Sequence, residues 1–399
     1  MLRVIGGTLL LIGTCMGGGM LALPIVTAKA GPLAALFLMF FCWLVTTLTA
    51  FLVLEVNLWF PGQNNLITMS RQSLGAGGQV FAWICTLLLL YSGLSAYIAA
   101  GAGVFAHLLS LIQFTLSPSL YPILFTLFFG IVVYLGVRAC DVVNRLFMSV
   151  KFFSLLVLVL VLLPKINIHH WTGLHWLALL PATTPIVTSF AYAMILPTLS
   201  EYLSYDVKKI RIAILLGSMI PFLLYSLWVF TMFGALPSAG PHSLAAISHS
   251  ANPVEALLRS LQYKVPGQMI SLFSDVFASV CVITSFLGVA LCLADFLADG
   301  LSVKKRGWHA AWINLLVVIP PLLLTLYFPN VFILGVSFAG IFATLLLIIL
   351  PVLMVWFGRK QYSGVDCYRV AGGKPLLLFL FLSGLFFLCI GILEKLGYL

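Results

Sequence analysis

The amino-acid sequence predicts an all-α polytopic membrane protein with eleven transmembrane helices, of which the first and the sixth are interrupted. Three observations carry this prediction. Of the 399 residues, 62% are hydrophobic and 8% are charged, and a water-soluble fold of this composition would leave more apolar surface than its core could cover. The chain divides into apolar stretches of about 20 residues, the length that crosses a bilayer. Glycine and proline interrupt two of these stretches.

The apolar stretches follow one another with short polar connectors, and no connector is long enough to form a separate soluble domain. We therefore expect one transmembrane domain over residues 1–399. The predicted spans are 4–29, 32–58, 80–112, 119–137, 146–164, 177–204, 209–235, 266–298, 308–328, 331–357 and 375–396.

The distribution of basic residues predicts the orientation of these spans. Most of the 20 lysine and arginine residues fall in or beside alternate connectors, among them Arg71, Lys151, Lys208, Lys209 and Arg359. Because basic connectors stay in the cytoplasm, the N terminus is expected to be cytoplasmic and, after eleven spans, the C terminus lies on the other side. The net charge of +10 is explained in this way, so we expect no nucleic-acid partner.

The first span contains three adjacent glycines, Gly17 to Gly19, near its middle. Each glycine destabilises a helix by about 1 kcal/mol relative to alanine, so the run favours a local break. Lipid cannot satisfy the freed backbone groups, which must face a cavity. The amides that start the second half-helix suit a carboxylate, and the carbonyls that end the first half suit an ammonium group or a cation. The alternative is that these glycines only permit close helix packing.

The sixth span is interrupted by proline. Pro181 and Pro185 lie near one end, Pro197 lies toward the other, and residues 188–192 lie between them. Proline removes a backbone donor and breaks the helical ladder. Spans one and six run in opposite directions, so we expect an inverted repeat, with repeat one at about 4–164, repeat two at about 177–357 and an extra helix at about 375–396. Paired interruptions of this kind indicate the binding site of a transporter.

Residues that share a binding site must lie at the same depth in the bilayer. With a rise of about 1.5 Å per residue, Tyr97 of span three and the pair Thr284 and Ser285 of span eight reach the depth of both interruptions. Phe338 of span ten lies nearer the outer face, where we expect a lid. The predicted substrate-binding residues are Thr14, Met16, Gly17, Gly18, Gly19, Tyr97, Thr188, Phe190, Ala191, Tyr192 and Phe338.

Two acids and two hydroxyl groups are candidates for ion coupling. An acid inside a membrane is a functional candidate by default, and Asp275 lies well inside span eight, whereas Glu55 lies near a cytoplasmic end, where pairing with a basic residue is the alternative. Thr284 and Ser285 would complete an oxygen shell for sodium with carbonyls of the first span. In a proton-coupled protein they would hold water or backbone groups instead, so both couplings stay open at this stage.

The sequence contains no motif for ATP hydrolysis, serine-hydrolase chemistry or zinc-dependent proteolysis. We therefore expect no enzyme activity, no resident cofactor, no metal and no obligate protein partner. The expected partners are a small-molecule substrate and lipid. A substrate sensor or a channel could use the same cavity and is the alternative from another functional class.

Several segments together resemble the hydroxy and aromatic amino acid permeases of the amino acid–polyamine–organocation superfamily, and most of all its tyrosine-specific bacterial branch. The resemblance covers nearly the whole chain. It rests on GTCMGGGMLALP at 13–24, LEV at 54–56, NR at 144–145 with Lys151, TSF at 188–190 with Pro197, TSFLGVAL at 284–291, DFLAD at 295–299 and YRVAGGKP at 368–375.

The resemblance implies a leucine-transporter-like fold, with two inverted repeats of five helices and one extra helix. It implies uptake of an aromatic amino acid, tyrosine first, by proton symport across a bacterial inner membrane with the C terminus in the periplasm. The glycine run would take the substrate carboxylate, and residues 188–192 would line the pocket for the amine and the side chain. Sodium symport, and transport of tryptophan or another neutral amino acid, are the alternatives.

One departure from the family pattern concerns the sixth span. After Thr188-Ser189-Phe190 the family usually has glycine, an aromatic residue and histidine, whereas this chain has Ala191, Tyr192 and Ala193. Loss of the histidine removes a candidate proton group, and loss of the glycine stiffens the break. The departure bears on the identity of the substrate and not on the prediction of transport.

Overall fold

The computed structural model of the protein describes residues 2–398 except 61, 63, 64, 168–170, 172–174, 238, 265, 266, 302, 304–307, 329 and 363–367. All regular structure in this part of the chain is helical. The α-helices are α1 (Leu2–Cys15), α2 (Gly19–Val26), α3 (Pro32–Trp59), α4 (Leu66–Leu111), α5 (Leu120–Tyr134), α6 (Val137–Leu162), α7 (Thr183–Ser189), α8 (Leu196–Tyr202), α9 (Val207–Ala235), α10 (Leu244–Ser248), α11 (Pro253–Lys264), α12 (Gln268–Gly300), α13 (Trp308–Tyr327), α14 (Val331–Thr344), α15 (Leu350–Gln361) and α16 (Gly373–Lys395).

Nine helical stretches in the described ranges are long and apolar enough to cross a membrane. The bent pair of α1 and α2 makes a tenth, and the remaining predicted span corresponds to α5, an apolar helix of 15 residues. The sixth span consists of a 3₁₀ turn at Leu177–Ala182, α7, a second 3₁₀ turn at Tyr192–Ile195, and α8. The predicted fold class, with its first and sixth spans interrupted, is therefore confirmed.

Two predicted connectors contain helices. Helix α4 begins at Leu66 rather than at residue 80, and it bends at Gly75, whose φ of +77° suits glycine. Between α9 and α12 lie α10 and α11, and α11 buries Val254, Leu257 and Leu261, which form one apolar face of a helix. Counting the spans puts α10 and α11 on the face opposite the one on which the chain begins.

The fifth span begins earlier than its hydropathy indicates. Only Leu135 and Gly136 separate α5 from α6, and Gly136 has a φ of +94°. Helix α6 therefore begins at Val137, and Lys151 lies about 21 Å along it. The sequence-based position of Lys151 beside a connector was wrong, because the polar residues between 138 and 145 hid the first turns of this helix.

Helices pack closely where glycine lets two backbones approach. Gly340 of α14 lies against the carbonyl group of Thr184 in α7. A Cβ atom at Gly217 of α9 would lie 2.6 Å from Leu11 of α1, so that position also requires glycine. Small residues at helix contacts are typical of membrane proteins. These contacts hold α1 and α7, the first halves of the two interrupted spans, against α9 and α14.

A buried ion pair joins α3 to α15 and to the chain that leads into α16. Glu55 is fully buried and accepts hydrogen bonds from Arg359 Nε at 2.7 Å, from Arg359 Nη2 at 2.8 Å and from the Val370 amide at 2.8 Å. Both carboxylate oxygens therefore have charged or backbone donors. Glu55 is therefore paired with a basic residue, as the alternative interpretation of its position predicted.

Replacing Arg359 by methionine should leave the Glu55 charge buried without its partner and lower the free energy of unfolding by about 3–5 kcal/mol. Unfolding of the purified protein in detergent measures this loss. The double variant Glu55→Gln with Arg359→Met removes both charges and should recover part of it.

Arg259→Met is the matched control, because Arg259 is 57% exposed in its ion pair with Glu255 and should change stability by less than about 1 kcal/mol. Equal losses in Arg359→Met and Arg259→Met would contradict a stabilising role for the buried pair.

Candidate functional site

The interruption of the first span brings its backbone against polar side chains. Helices α1 and α2 meet at an angle of 53°, and the Gly18 amide donates a hydrogen bond of 2.7 Å to Ser285 Oγ of α12. A Cβ atom at Gly17 would lie 2.5 Å from the same oxygen, and one at Gly18 would lie 2.8 Å from the Tyr97 ring. The glycines therefore allow contact with Ser285 and Tyr97 rather than with the backbone of another helix.

Lys151 of α6 holds the carbonyl group that this interruption frees. Its Nζ donates hydrogen bonds to the Met16 carbonyl at 2.6 Å and to Thr284 Oγ1 at 2.7 Å. The Thr284 hydroxyl gives its own hydrogen to the Val280 carbonyl at 2.8 Å, so its lone pair can accept. Lys151 is 1% exposed, and no carboxylate among the described residues forms an ion pair with it. Neutral oxygens hold the amino group of Lys151.

The interruption of the sixth span lies at Phe190 and Ala191. Helix α7 ends at Ser189, and these two residues leave the helical conformation before the 3₁₀ turn. The Thr188 hydroxyl donates to the Val336 carbonyl of α14 at 2.8 Å, which fixes the end of α7. Pro197 lies in the first turn of α8, where its missing amide hydrogen is not needed.

Tyr225 of α9 joins the two interruptions. Its buried hydroxyl lies 2.5 Å from the Cys15 carbonyl and 3.3 Å from the Ser189 carbonyl. These carbonyls end the first halves of the broken helices, where no continuing helix supplies their partners. One phenol therefore serves the carbonyl groups at both breaks.

The two interruptions lie side by side, because a Cβ atom at Gly19 would be 3.0 Å from Ser189 Oγ. The Phe190 ring packs on Tyr225 with its centroid at 5.4 Å. The predicted residues that lie at the interruptions or in direct contact with them are Met16, Gly17, Gly18, Gly19, Tyr97, Thr188, Phe190, Ala191 and Ser285, whereas Thr284 reaches the first interruption through Lys151.

Two predicted aromatic residues point elsewhere. Tyr192 is fully buried and donates a hydrogen bond of 2.9 Å to Thr47 Oγ1 of α3. Phe338 precedes Gly340 by two residues and so lies on the other side of α14 from the contact with α7. It is 40% exposed, and its ring lies 5.3 Å from Lys395 Nζ of α16. The structure does not bring the Phe338 ring to the interruptions.

The two acids are also distant from the interruptions. Glu55 is engaged by Arg359, and Asp275 precedes Thr284 by nine residues, or about 14 Å along α12. Asp275 lies 3.0 Å from His107 Nε2 of α4. Among the described residues, the basic side chain that contacts the breaks is that of Lys151.

Exposure differs between the two sides of the interruptions. The face of α12 that carries Ser285 continues toward the face on which the chain begins as Gly288 and Cys292, and both are exposed. Thr14, one turn before Gly17, is exposed as well, whereas Gly19 and Ser189 are buried. Side chains next to the interruptions are therefore more exposed toward the face on which the chain begins than toward the opposite face.

Lys151 and Tyr225 were not among the predicted site residues. Lys151 carried a signal, since it is a single basic residue directly before a long apolar run, and an intramembrane charge is a functional candidate. Tyr225 carried none, because a tyrosine in an apolar span is usually part of the core.

Known proteins match this chain along nearly its whole length. The sequence matches the tryptophan/tyrosine permease family over residues 2–391. It is 29% identical to the tyrosine-specific transport system 1 of Haemophilus influenzae, with 100% of this chain and 98% of that protein covered. It is also 29% identical to the tryptophan-specific transport protein of Pseudomonas aeruginosa, with 96% and 92% covered.

The solved structure of MhsT in complex with L-phenylalanine has the same fold, with a TM-score of 0.66 over 99% of this chain and 98% of that one, at 13% sequence identity. The family match includes both interruptions, Lys151 and Tyr225. This chain therefore belongs to the tryptophan/tyrosine permease family, a family of membrane transport proteins.

Proposed function

We propose that this permease imports an aromatic amino acid, with tyrosine as the first candidate, by proton symport across a bacterial inner membrane. Its N terminus lies in the cytoplasm and its C terminus in the periplasm. Alternating access around the two interruptions moves the substrate without covalent chemistry. The observation that carries the proposal is the position of Lys151 Nζ between the Met16 carbonyl and the Thr284 hydroxyl. The choice of substrate rests on relatives named for tyrosine and tryptophan.

Lys151 favours a proton over sodium as the coupling ion. The oxygens expected to hold sodium were those of Thr284, Ser285 and a carbonyl of the first span, and two of these already accept hydrogen bonds from the ammonium group. A sodium ion about 4 Å from this positive charge would meet a repulsion of about 4 kcal/mol at an effective dielectric constant of 20. A lysine that gains and loses a proton supplies the coupling without a second cation.

Deprotonation of Lys151 would loosen the first interrupted span. Hydrogen bonds from a charged donor are about twice as strong as those from a neutral one, so both bonds of Nζ would weaken together. Met16 belongs to the broken span, whereas Lys151 and Thr284 belong to α6 and α12. The proton on Lys151 therefore links the broken span to the helices beside it, and its release lets them separate.

The substrate carboxylate fits the start of α2. The Gly18 amide donates to Ser285 Oγ at 2.7 Å, and a substrate carboxylate would be the stronger acceptor at the positive end of this helix. Tyr97, whose ring lies beside Gly18, and Ala191, at the second interruption, are both half-buried. The amine and aromatic side chain would lie between them.

Uptake into proteoliposomes tests the coupling ion. An inward proton gradient without sodium should drive labelled tyrosine above its equilibrium concentration, and an inward sodium gradient at equal pH should not. Accumulation driven by sodium alone would overturn proton symport. Equilibration without accumulation would point to a channel, and stronger competition by unlabelled tryptophan than by unlabelled tyrosine would reassign the substrate.

Lys151→Met should reduce proton-driven accumulation at least tenfold, because the side chain fills similar space but carries no titrating group. Uptake under an imposed proton gradient measures this effect. Lys165→Met is the control, since Lys165 is an exposed lysine just beyond α6, and it should transport normally. If Lys151→Met accumulated tyrosine as the wild type does, Lys151 would not be the proton carrier.

Gly18→Leu should abolish uptake while the protein still inserts, because a side chain at this position meets the Tyr97 ring and blocks the carboxylate position. Gly93→Leu is the matched control, as Gly93 is also within a membrane helix but has open space around its Cβ position. Tyrosine uptake is measured for both variants and compared with the wild type. The yield of detergent-solubilised protein shows whether each variant inserts into the membrane. Normal uptake by Gly18→Leu would move the carboxylate site elsewhere.

A further inference from the structure

A buried cluster of polar side chains lies near the face opposite the one on which the chain begins. It consists of His107 of α4, Gln262 of α11 and Asp275 of α12. His107 is 1% exposed and Asp275 is 7% exposed. None of the three contacts the interruptions. The cluster connects α11, a short helix between two spans, to two helices that cross the membrane.

Three atoms of the cluster form a nearly equilateral triangle. His107 Nε2 lies 3.0 Å from Asp275 Oδ1, and the Gln262 side-chain nitrogen lies 3.1 Å from that oxygen and 2.9 Å from His107 Nε2. The same nitrogen lies 3.3 Å from Asp275 Oδ2. All of these distances are within the range of hydrogen bonds, so each contact needs one donor and one acceptor.

An ionised Asp275 and a neutral His107 cannot satisfy the triangle. The amide nitrogen of Gln262 only donates, so its contact with His107 is a hydrogen bond only when Nε2 carries no hydrogen. A bare ring nitrogen and a carboxylate oxygen are both acceptors, and they repel each other at 3.0 Å. A proton on Asp275 removes this repulsion, because the acid hydroxyl then donates to His107 Nε2 and shares its one lone pair with the Gln262 amide.

The other assignments of hydrogens either leave a conflict or lead to the same requirement. If His107 Nε2 carries a hydrogen and donates to Asp275, the Gln262 nitrogen faces a second donor at 2.9 Å. If the Gln262 amide is turned round, its oxygen accepts from His107 but faces both carboxylate oxygens, and a proton on Asp275 is again needed. All contacts are favourable only when the cluster holds one proton more than an ionised Asp275 and a neutral His107.

The titratable groups of α11 are engaged with one another or with its neighbouring loop. Glu255 pairs with Arg259 at 2.8 Å. Tyr263 stacks on His242 with ring centroids 4.1 Å apart, and Lys264 lies 6.0 Å from the same tyrosine ring. None of these groups forms a hydrogen bond or an ion pair with the cluster.

Apart from Lys165, which is exposed just beyond the end of α6, the remaining helices that pack on α4 and α12 bring no charged group to this end of the membrane. Tyr121 of α5 accepts a hydrogen bond from the Leu116 amide, and Tyr327 of α13 is 79% exposed. Lys151 of α6 lies at the level of Thr284, and Arg359 of α15 pairs with Glu55. Helix α14 carries no titratable residue. The proton that the triangle requires would therefore be held between His107 and Asp275, with Gln262 as their hydrogen-bond partner.

We propose that these three side chains form a proton-operated latch that binds one proton when α11 docks on α4 and α12 and releases it when α11 leaves. Once Gln262 has left, His107 donates to an ionised Asp275 without conflict, so the undocked state does not need the proton. Docking is therefore favoured as the pH at this face falls. Helices α10 and α11 also pack against α2, so docking closes the face on which Gly19 and Ser189 are buried.

This latch is distinct from the proposed coupling through Lys151. Its proton enters and leaves on the same face and is not transported, so the latch operates whichever ion drives uptake. It would make closure of this face, and hence the turnover of the permease, sensitive to external pH.

Hydrogen exchange of the full-length protein in lipid nanodiscs tests the latch, with the amides of 253–264 as the readout and exchange corrected for its intrinsic pH dependence. Protection of α11 should rise by up to tenfold for each unit that the pH falls through the titration, because docking binds one proton. Asp275→Asn supplies a donor that does not titrate and should give high protection at every pH. Gln262→Leu should give protection that does not depend on pH.

Glu255→Gln removes an acid from the same helix but outside the cluster and should keep the wild-type slope. The proposal would be overturned if protection of α11 in the wild-type protein did not depend on pH, or if protection in Gln262→Leu depended on pH as it does in the wild type. If Asp275→Asn does not fold, Gln262→Leu still tests the proposal, because Gln262 lies on the short helix α11 and not in a membrane-spanning helix. Because the readout involves no transport, failure of the latch and failure of proton symport are separate results.

Discussion

Backbone groups that a broken helix releases inside a bilayer need partners that lipid cannot supply, and here the side chains of neighbouring helices supply them. Lys151 donates to the Met16 carbonyl, Tyr225 donates at the Cys15 carbonyl and Ser285 accepts from the Gly18 amide. The glycines and prolines make the breaks possible, but these side chains make them stable. The arrangement of α6, α9 and α12 around the breaks follows from this requirement.

Under the proposed alternating access, the same contacts would let a rigid membrane domain contain a movable part. A continuous helix would satisfy its backbone internally and would resist bending. A broken helix held by three side chains can be released by changing those contacts, and one of the three side chains carries a titratable charge. The proposed coupling follows from this, since the proton would act on the bond that holds the break.

The acids of the membrane domain have structural surroundings of different kinds. Glu55 accepts three hydrogen bonds from Arg359 and Val370, as a buried carboxylate requires. Asp275 instead meets His107 and Gln262 in a triangle that lacks a donor unless a proton is added. Sequence position alone had made both acids candidates for coupling. Their hydrogen-bond partners, which come from distant parts of the chain, distinguish them.

Much of the fold could be predicted from the sequence, because lipid imposes a length and a composition on every span. The glycine run in span one and the prolines in span six predicted the interruptions on the same physical grounds. The prediction of span five failed at its beginning, since polar residues between 138 and 145 lie inside α6 and break the apolar pattern. This error misplaced Lys151, the most informative residue of the candidate site.

The sequence by itself therefore determined that the chain crosses a membrane many times and where two of its helices break, because hydrophobicity and backbone conformation are local properties. Only the tertiary structure decided which side chains meet those breaks. Lys151 and Thr284 are 133 residues apart and Tyr225 is 210 residues from Cys15, and such contacts depend on how helices pack. The position of Lys151 at the centre of the site is a consequence of that packing.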